Sequence, residues 1–189
     1  MKKSKITCDL PLDPYADYKM EWSHDQAVRN YESVKGWIYI GLDNYVSNRA
    51  KVGLTMGDLS SRSSSSGNPG LLLFCAFKCR HDITGVQLRS IEEDLIARLD
   101  LIYTDKDGKS LRMRHFESQK LSEWYGHIDT YAFVQNVHYI LYRYHYNDFL
   151  AVELENDFGT IDGCYLDCIF NECYTQEEQA NFREMLLLW

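Results

Sequence analysis

No stretch of this chain approaches the eighteen or so consecutive apolar residues that a membrane-crossing helix needs, so no helical membrane span is expected. The opening segment MKKSKITCDLPLDPYADYK is briefly basic but has no apolar core. A secretory signal is therefore not expected there, and a cytoplasmic location is. In that compartment the six cysteines (Cys8, Cys75, Cys79, Cys164, Cys168 and Cys173) are expected as reduced thiols. No internal repeat is visible. Basic residues are nearly missing from the last third: residues 126–189 hold 2 Lys+Arg against 11 Asp+Glu, a net of −9. The first 125 residues hold 18 and 17, a net of +1, so the overall −8 resides in the carboxyl-terminal part.

That division leaves room for an anionic partner. Within residues 36–80, Arg49, Lys51, Arg62, Lys78 and Arg80 face only Asp43 and Asp58, a locally basic stretch in an acidic chain. With 189 residues, 45% hydrophobic and 14% aromatic, the chain can bury a sizeable core.

The order of elements is readable. Pro11 and Pro14 break periodicity at the start, and Ser23 with Gln26 forms a capping-box signature that predicts a helix to about Val34. WIYIGL and AKVGL read as two strands joined by a polar loop. GDLSSRSSSS predicts a short helix carrying Arg62 and running into a serine-rich turn, either a loop of one small domain or a linker. LLLFCAFKC is a third strand, Thr84 and Gln87 open a helix to about Ile102, and LRMRHF is an extended segment before SEWYG. An aromatic-rich helix follows at roughly 128–143, then the strand-like FLAVELE and CYLDCIFNECY, then a helix opened by Thr175 and Glu178. These elements predict an α+β chain in three parts: an irregular segment at 1–23, a core at 24–125 and an acidic α+β extension at 126–189.

Two features point to chemistry. Tyr39, Lys51 and Arg62 lie close in sequence, and on converging they would set a phenol, an ammonium and a guanidinium around one point, a trio suited to a phosphodiester. The second feature is a misplaced carboxylate. On a helical projection from Leu88, residues Ile91, Leu95, Ile96, Leu99 and Ile102 join it in one apolar stripe, and Glu92 falls about 40° from Leu88, inside the stripe, while Glu93 and Asp94 fall outside it. A carboxylate there needs a partner. Glu92 either pairs with an arginine at the core rim or reaches past the sheet edge to hold a divalent metal beside Tyr39 and Arg62.

Taken together, the Gly-x-Ile-Tyr strand, the second glycine strand, the arginine after it and the later glutamate resemble the GIY-YIG endonuclease superfamily. KVGLT…SR, IEEDLIARL and SEWYG are similar to a phage and bacterial branch with a Lys-Ile-Gly-type second motif and a closing Glu-Trp-Phe-like motif. The similarity covers residues 36 to about 125. It implies a small central antiparallel three-stranded sheet flanked by helices, and metal-dependent hydrolysis of DNA with one Mg²⁺ or Mn²⁺. By position it implies that Tyr39 helps deprotonate the attacking water, Lys51 replaces a second tyrosine, Arg62 contacts the scissile phosphate and Glu92 is the metal ligand. The other expected nucleic-acid contacts are Arg49, Lys78, Arg112 and Arg114, although Arg112 and Arg114 with His115 also read as a solvated edge strand.

The remaining clusters read more simply. Cys164, Cys168 and Cys173, with His138 and His145 upstream, lack the C-x₂-C spacing of a zinc knuckle and are expected as core, so zinc is unlikely. Tyr142, Tyr144 and Tyr146 make either an aromatic stacking strip or part of the core. Glu123 and Trp124 are expected to fix the end of the core domain. The acidic extension suggests a homodimer contact or a grip on a basic protein. It also predicts weak, weakly salt-dependent binding to duplex DNA, and it leaves open an inactive binding module or an acidic DNA mimic.

Overall fold

The computed structural model describes residues 7, 11, 13–59 and 68–188. The first helix, α1 (Tyr18–Glu32), starts five residues before the expected Ser23 cap, because the Asp17 carboxylate accepts from the backbone N–H groups of Lys19 and Met20 and closes the helix end there. Strands β1 (Trp37–Asp43), β2 (Arg49–Thr55) and β3 (Leu71–Lys78) follow, then α2 (Gly85–Ile102), opened by the Thr84–Gln87 capping box. Next come β4 (Arg112–Arg114), β5 (Leu121–Gly126) and α3 (Thr130–His145). The chain ends in β6 (Ala151–Glu155), β7 (Ile161–Leu166), β8 (Cys168–Phe170) and α4 (Gln176–Leu186).

The fold is α+β, but the sheet is larger than expected. β2, β1 and β3 form its centre, and the full order is β4-β5-β2-β1-β3-β8, six strands rather than three, with every pair antiparallel. The added strands come from the SEWYG region on one side and from the acidic extension on the other. β8 pairs Cys75 with Phe170 and Phe77 with Cys168, so the extension contributes directly to the sheet that carries the core. A separate hairpin of β6 and β7 lies outside it.

Alternation along β1 and β2 gives the sheet two different faces. Ile38, Ile40, Ala50 and Val52 point to one side and pack with Leu88, Ile91, Leu95 and Leu99 of α2 and with Phe133, Val134, Val137 and Leu141 of α3. The apolar stripe on α2 is therefore the sheet-facing surface, except that its last member, Ile102, is 48% exposed at the helix end. The opposite face carries a smaller cluster of Trp37, Tyr39, Leu71, Leu73 and Ala76 that no helix of the extension covers. That second face is where polar chemistry is possible.

His138 sits in the covered core at 1% exposure, and its Nε2 accepts the Leu166 N–H at 3.0 Å. Burial lowers its pKa from 6.5 to about 4. Between those values the unfolded chain binds a proton that the folded chain refuses, so stability from this group is complete above pH 6.5 and is lost as the pH falls toward 4. A shift of this size corresponds to roughly 3 kcal/mol. His138→Gln keeps an acceptor for Leu166 and removes the titration. In urea unfolding, wild type should lose roughly 2–3 kcal/mol relative to His138→Gln between pH 7 and pH 4.5; equal pH profiles would refute the buried neutral imidazole.

Candidate active site

The register of β1 on β2 sets the site. Tyr39 lies opposite Gly53, and Gly41 lies opposite Lys51, so each of these two side chains faces a glycine across the ladder. The pairing is steric. A Cβ at Gly53 would fall on the phenol ring and hydroxyl of Tyr39, and one at Gly41 would strike Leu71 and lie 3.2 Å from Lys51 Cγ. The two glycines clear a diagonal along which Tyr39 and Lys51 lie side by side on the sheet face opposite α2 and α3.

On the other side of β2, Lys51 is opposite Trp124 of β5. Its Nζ lies 5.7 Å from the Tyr39 ring centroid and 6.0 Å from that of Trp124, and 2.8 Å from Glu123 Oε2. The Lys51 side chain is 10% exposed, while that of Glu123 is 48% exposed. Burial by itself lowers the pKa of this lysine, but hydrogen bonds and charge from Glu123 and Tyr39 outweigh that effect and raise it. Lys51 is thus an ammonium at neutral pH, held between two aromatic rings.

Glu92 approaches from α2. It is half-buried, whereas Glu93 is exposed, as the helical projection requires. Burial and the nearby Glu123 carboxylate raise its pKa to about 7, against the opposing pull of Lys51 and the Leu54 backbone N–H. Leu54 lies on β2 three residues beyond Lys51, the last β2 residue paired with β5. The carboxylate therefore meets the sheet where β5 has turned away, close to Lys51 and Glu123. Among the described residues no arginine forms an ion pair with it.

The other expected residues separate into groups. Arg62 and its expected helix lie outside the described residues. Lys78 is 2% exposed, and its Nζ donates to the Tyr31 carbonyl at 3.1 Å. It closes the carboxyl end of α1 instead of facing a solvent-side phosphate, because β3 runs under that helix end. Arg112 is engaged as well: its Nη1 donates to Asp100 Oδ2 at 2.9 Å, and Asp100 also accepts from the Tyr125 hydroxyl. Arg49 and Arg114 remain at the surface and line one cleft of about 350 Å³ together with His115, Phe116, Asn68 and Trp124. The histidines of the possible zinc set are committed elsewhere, His138 to Leu166 and His145 to Asp94.

Glu123 is the site residue that sequence reasoning assigned to the domain end. Its signal was present one position away: Trp124 is the cross-strand partner of Lys51, and the glutamate beside it reaches round the edge of β5. Comparison with family models, curated proteins and solved structures finds no match to this chain.

Proposed function

We propose that this chain is a divalent-metal-dependent endonuclease of GIY-YIG type that hydrolyses DNA phosphodiesters, in a setting of phage or bacterial defence, counter-defence or repair. The observation that carries the reading is the glycine-cleared diagonal that sets Tyr39 beside the Lys51 ammonium, with the Glu92 carboxylate held half-buried at the adjoining sheet edge. A structural ion pair alone would not require glycine opposite both side chains.

In this reading Tyr39, as the phenolate beside the Lys51 ammonium, would take up a proton from the attacking water and become the phenol. Lys51 supplies positive charge to the phosphate oxygens as charge builds on them, and it does so from a water-poor setting where such charge acts strongly. Arg62, carried over from the resemblance, shares that task. The donor set at Glu92 fits a hard divalent cation: an oxygen ligand, a second carboxylate on Glu123 nearby, and a raised pKa that a cation would bring down. Mg²⁺ or Mn²⁺ bound there would polarise the phosphoryl group and neutralise the leaving oxygen.

The test is strand scission. Supercoiled plasmid incubated with the full chain should be converted to the nicked form in Mg²⁺ or Mn²⁺ and left intact in EDTA. Intact plasmid across both metals and across single-stranded, duplex and branched substrates would overturn the enzyme reading and favour a binding module on the same frame.

A further inference from the structure

The cleft beside the site has properties that hydrolysis alone does not use. It lies on the sheet face opposite α2 and α3, it measures about 350 Å³, and Trp124 forms a wall of both the cleft and the Lys51 pocket. Its polar lining carries two guanidiniums, Arg49 and Arg114, beside His115, Asn68 and Ser122. Among the described residues the Arg49 guanidinium has no hydrogen-bond or ion-pair partner, although it is half-buried. Arg114 donates one Nη1 bond to the Gln119 carbonyl at 2.7 Å and keeps its remaining donors. The one carboxylate in the lining, Asp43, is turned inward by its partners. Its Oδ1 accepts from the backbone N–H groups of Tyr45 and Val46, and its Oδ2 accepts from Asn68.

The apolar part of the lining is aromatic. Phe116, at the tip of the β4–β5 hairpin, is 93% exposed, and Trp124 is half-buried at the floor. A cleft of this volume lies at the small end of the range for ligand sites and suits a group no larger than one nucleotide. Two aromatic side chains offer stacking to a base, and two guanidiniums offer paired donors to a phosphate. A base inside a duplex is already stacked on both faces and cannot enter. The net of −9 over residues 126–189 further opposes a long polyanionic rod.

We infer that the cleft between the β4–β5 hairpin and β2 is a subsite for one unstacked nucleotide, so that the preferred ligand is single-stranded or locally unpaired nucleic acid. Arg49 and Arg114 hold the phosphate, and Phe116 and Trp124 receive the base. The inference rests on the nuclease reading only for the identity of the adjoining pocket. It names the substrate class of that pocket: a strand with an unpaired nucleotide next to the bond that is cut.

The test is binding without turnover. A fluorescein-labelled twelve-nucleotide thymidine strand and its duplex with the complementary strand are titrated with the full chain in EDTA, read by anisotropy. The single strand should bind at least about tenfold more tightly than the duplex, and inorganic phosphate should compete for it only weakly. Phe116→Ala should weaken single-strand binding about five- to tenfold, in line with loss of one stacked base, and leave duplex binding unchanged. Its exposure means the truncation removes no core packing. Arg49→Gln should weaken single-strand binding to a similar degree. Equal or tighter binding of duplex, or single-strand binding that neither substitution changes, would overturn the subsite. A chain that shows the expected pattern but never cuts DNA keeps the subsite and loses the nuclease; a chain that cuts but binds both forms equally does the reverse.

Discussion

Glu92→Ala should abolish metal-dependent nicking of plasmid DNA, and Glu93→Ala should leave it nearly intact. The two residues are neighbours of the same chemistry on one helix, and they differ only in where the helix points them. Glu92 is half-buried with its pKa raised to about 7, and Glu93 is exposed. Removing a group that fixes the cation and its charge in such a site costs about a hundredfold or more in rate. The same substitution should also stabilise the fold at alkaline pH. With the Glu92 pKa above its unfolded value of 4.5, folding favours the protonated form, so this residue reduces stability as the pH rises from 4.5 to 7. Loss of activity with a gain in stability is the pattern of a functional residue. Equal activity losses in both variants would show that the helix presents the wrong carboxylate to the site.

Gly53→Ala should be as damaging to activity, and for a reason confined to one methyl group. Its Cβ would fall on the Tyr39 ring, which is 5% exposed in the cluster with Trp37, Leu71 and Leu73 and has little room to retreat. Either the phenol leaves its place beside Lys51 or β1 and β2 spread, at a cost of about 1–3 kcal/mol in thermal or urea unfolding. The cause can be isolated by pairing the change with Tyr39→Leu, which removes the ring that the methyl meets. In the double variant the stability loss should largely disappear while activity stays absent, a coupling typical of residues in direct contact. Additive stability losses would mean that Gly53 is needed for its backbone alone.

Much of this was legible along the chain, where it depended on local pattern. The β-type apolar runs on either side of a polar loop identified β1 and β2, and the 3.6-residue period of α2 separated Glu92 from Glu93. The α+β class followed from the same signals. What escaped depended on pairing between distant segments. β4 and β8 are three residues each, too short to carry a period, yet together with β5 they widen the sheet from three strands to six. Glu123 became a site residue only through the register of β5 on β2. Lys78 read as a surface cation because nothing local reveals that α1 ends above it. The start of α1 turned on two good caps in competition, and Asp17 prevailed over Ser23.

The central claim is that Glu92 holds one divalent cation beside Tyr39 and Lys51, and a crystal of the full chain soaked in Mn²⁺ tests it most directly. The account predicts an anomalous scattering peak at coordination distance, about 2.2 Å, from a Glu92 carboxylate oxygen, on the side that faces Lys51 and Tyr39. No peak at Glu92, at a Mn²⁺ concentration that saturates plasmid nicking, would contradict it, as would a peak bound only by residues remote from β1 and β2.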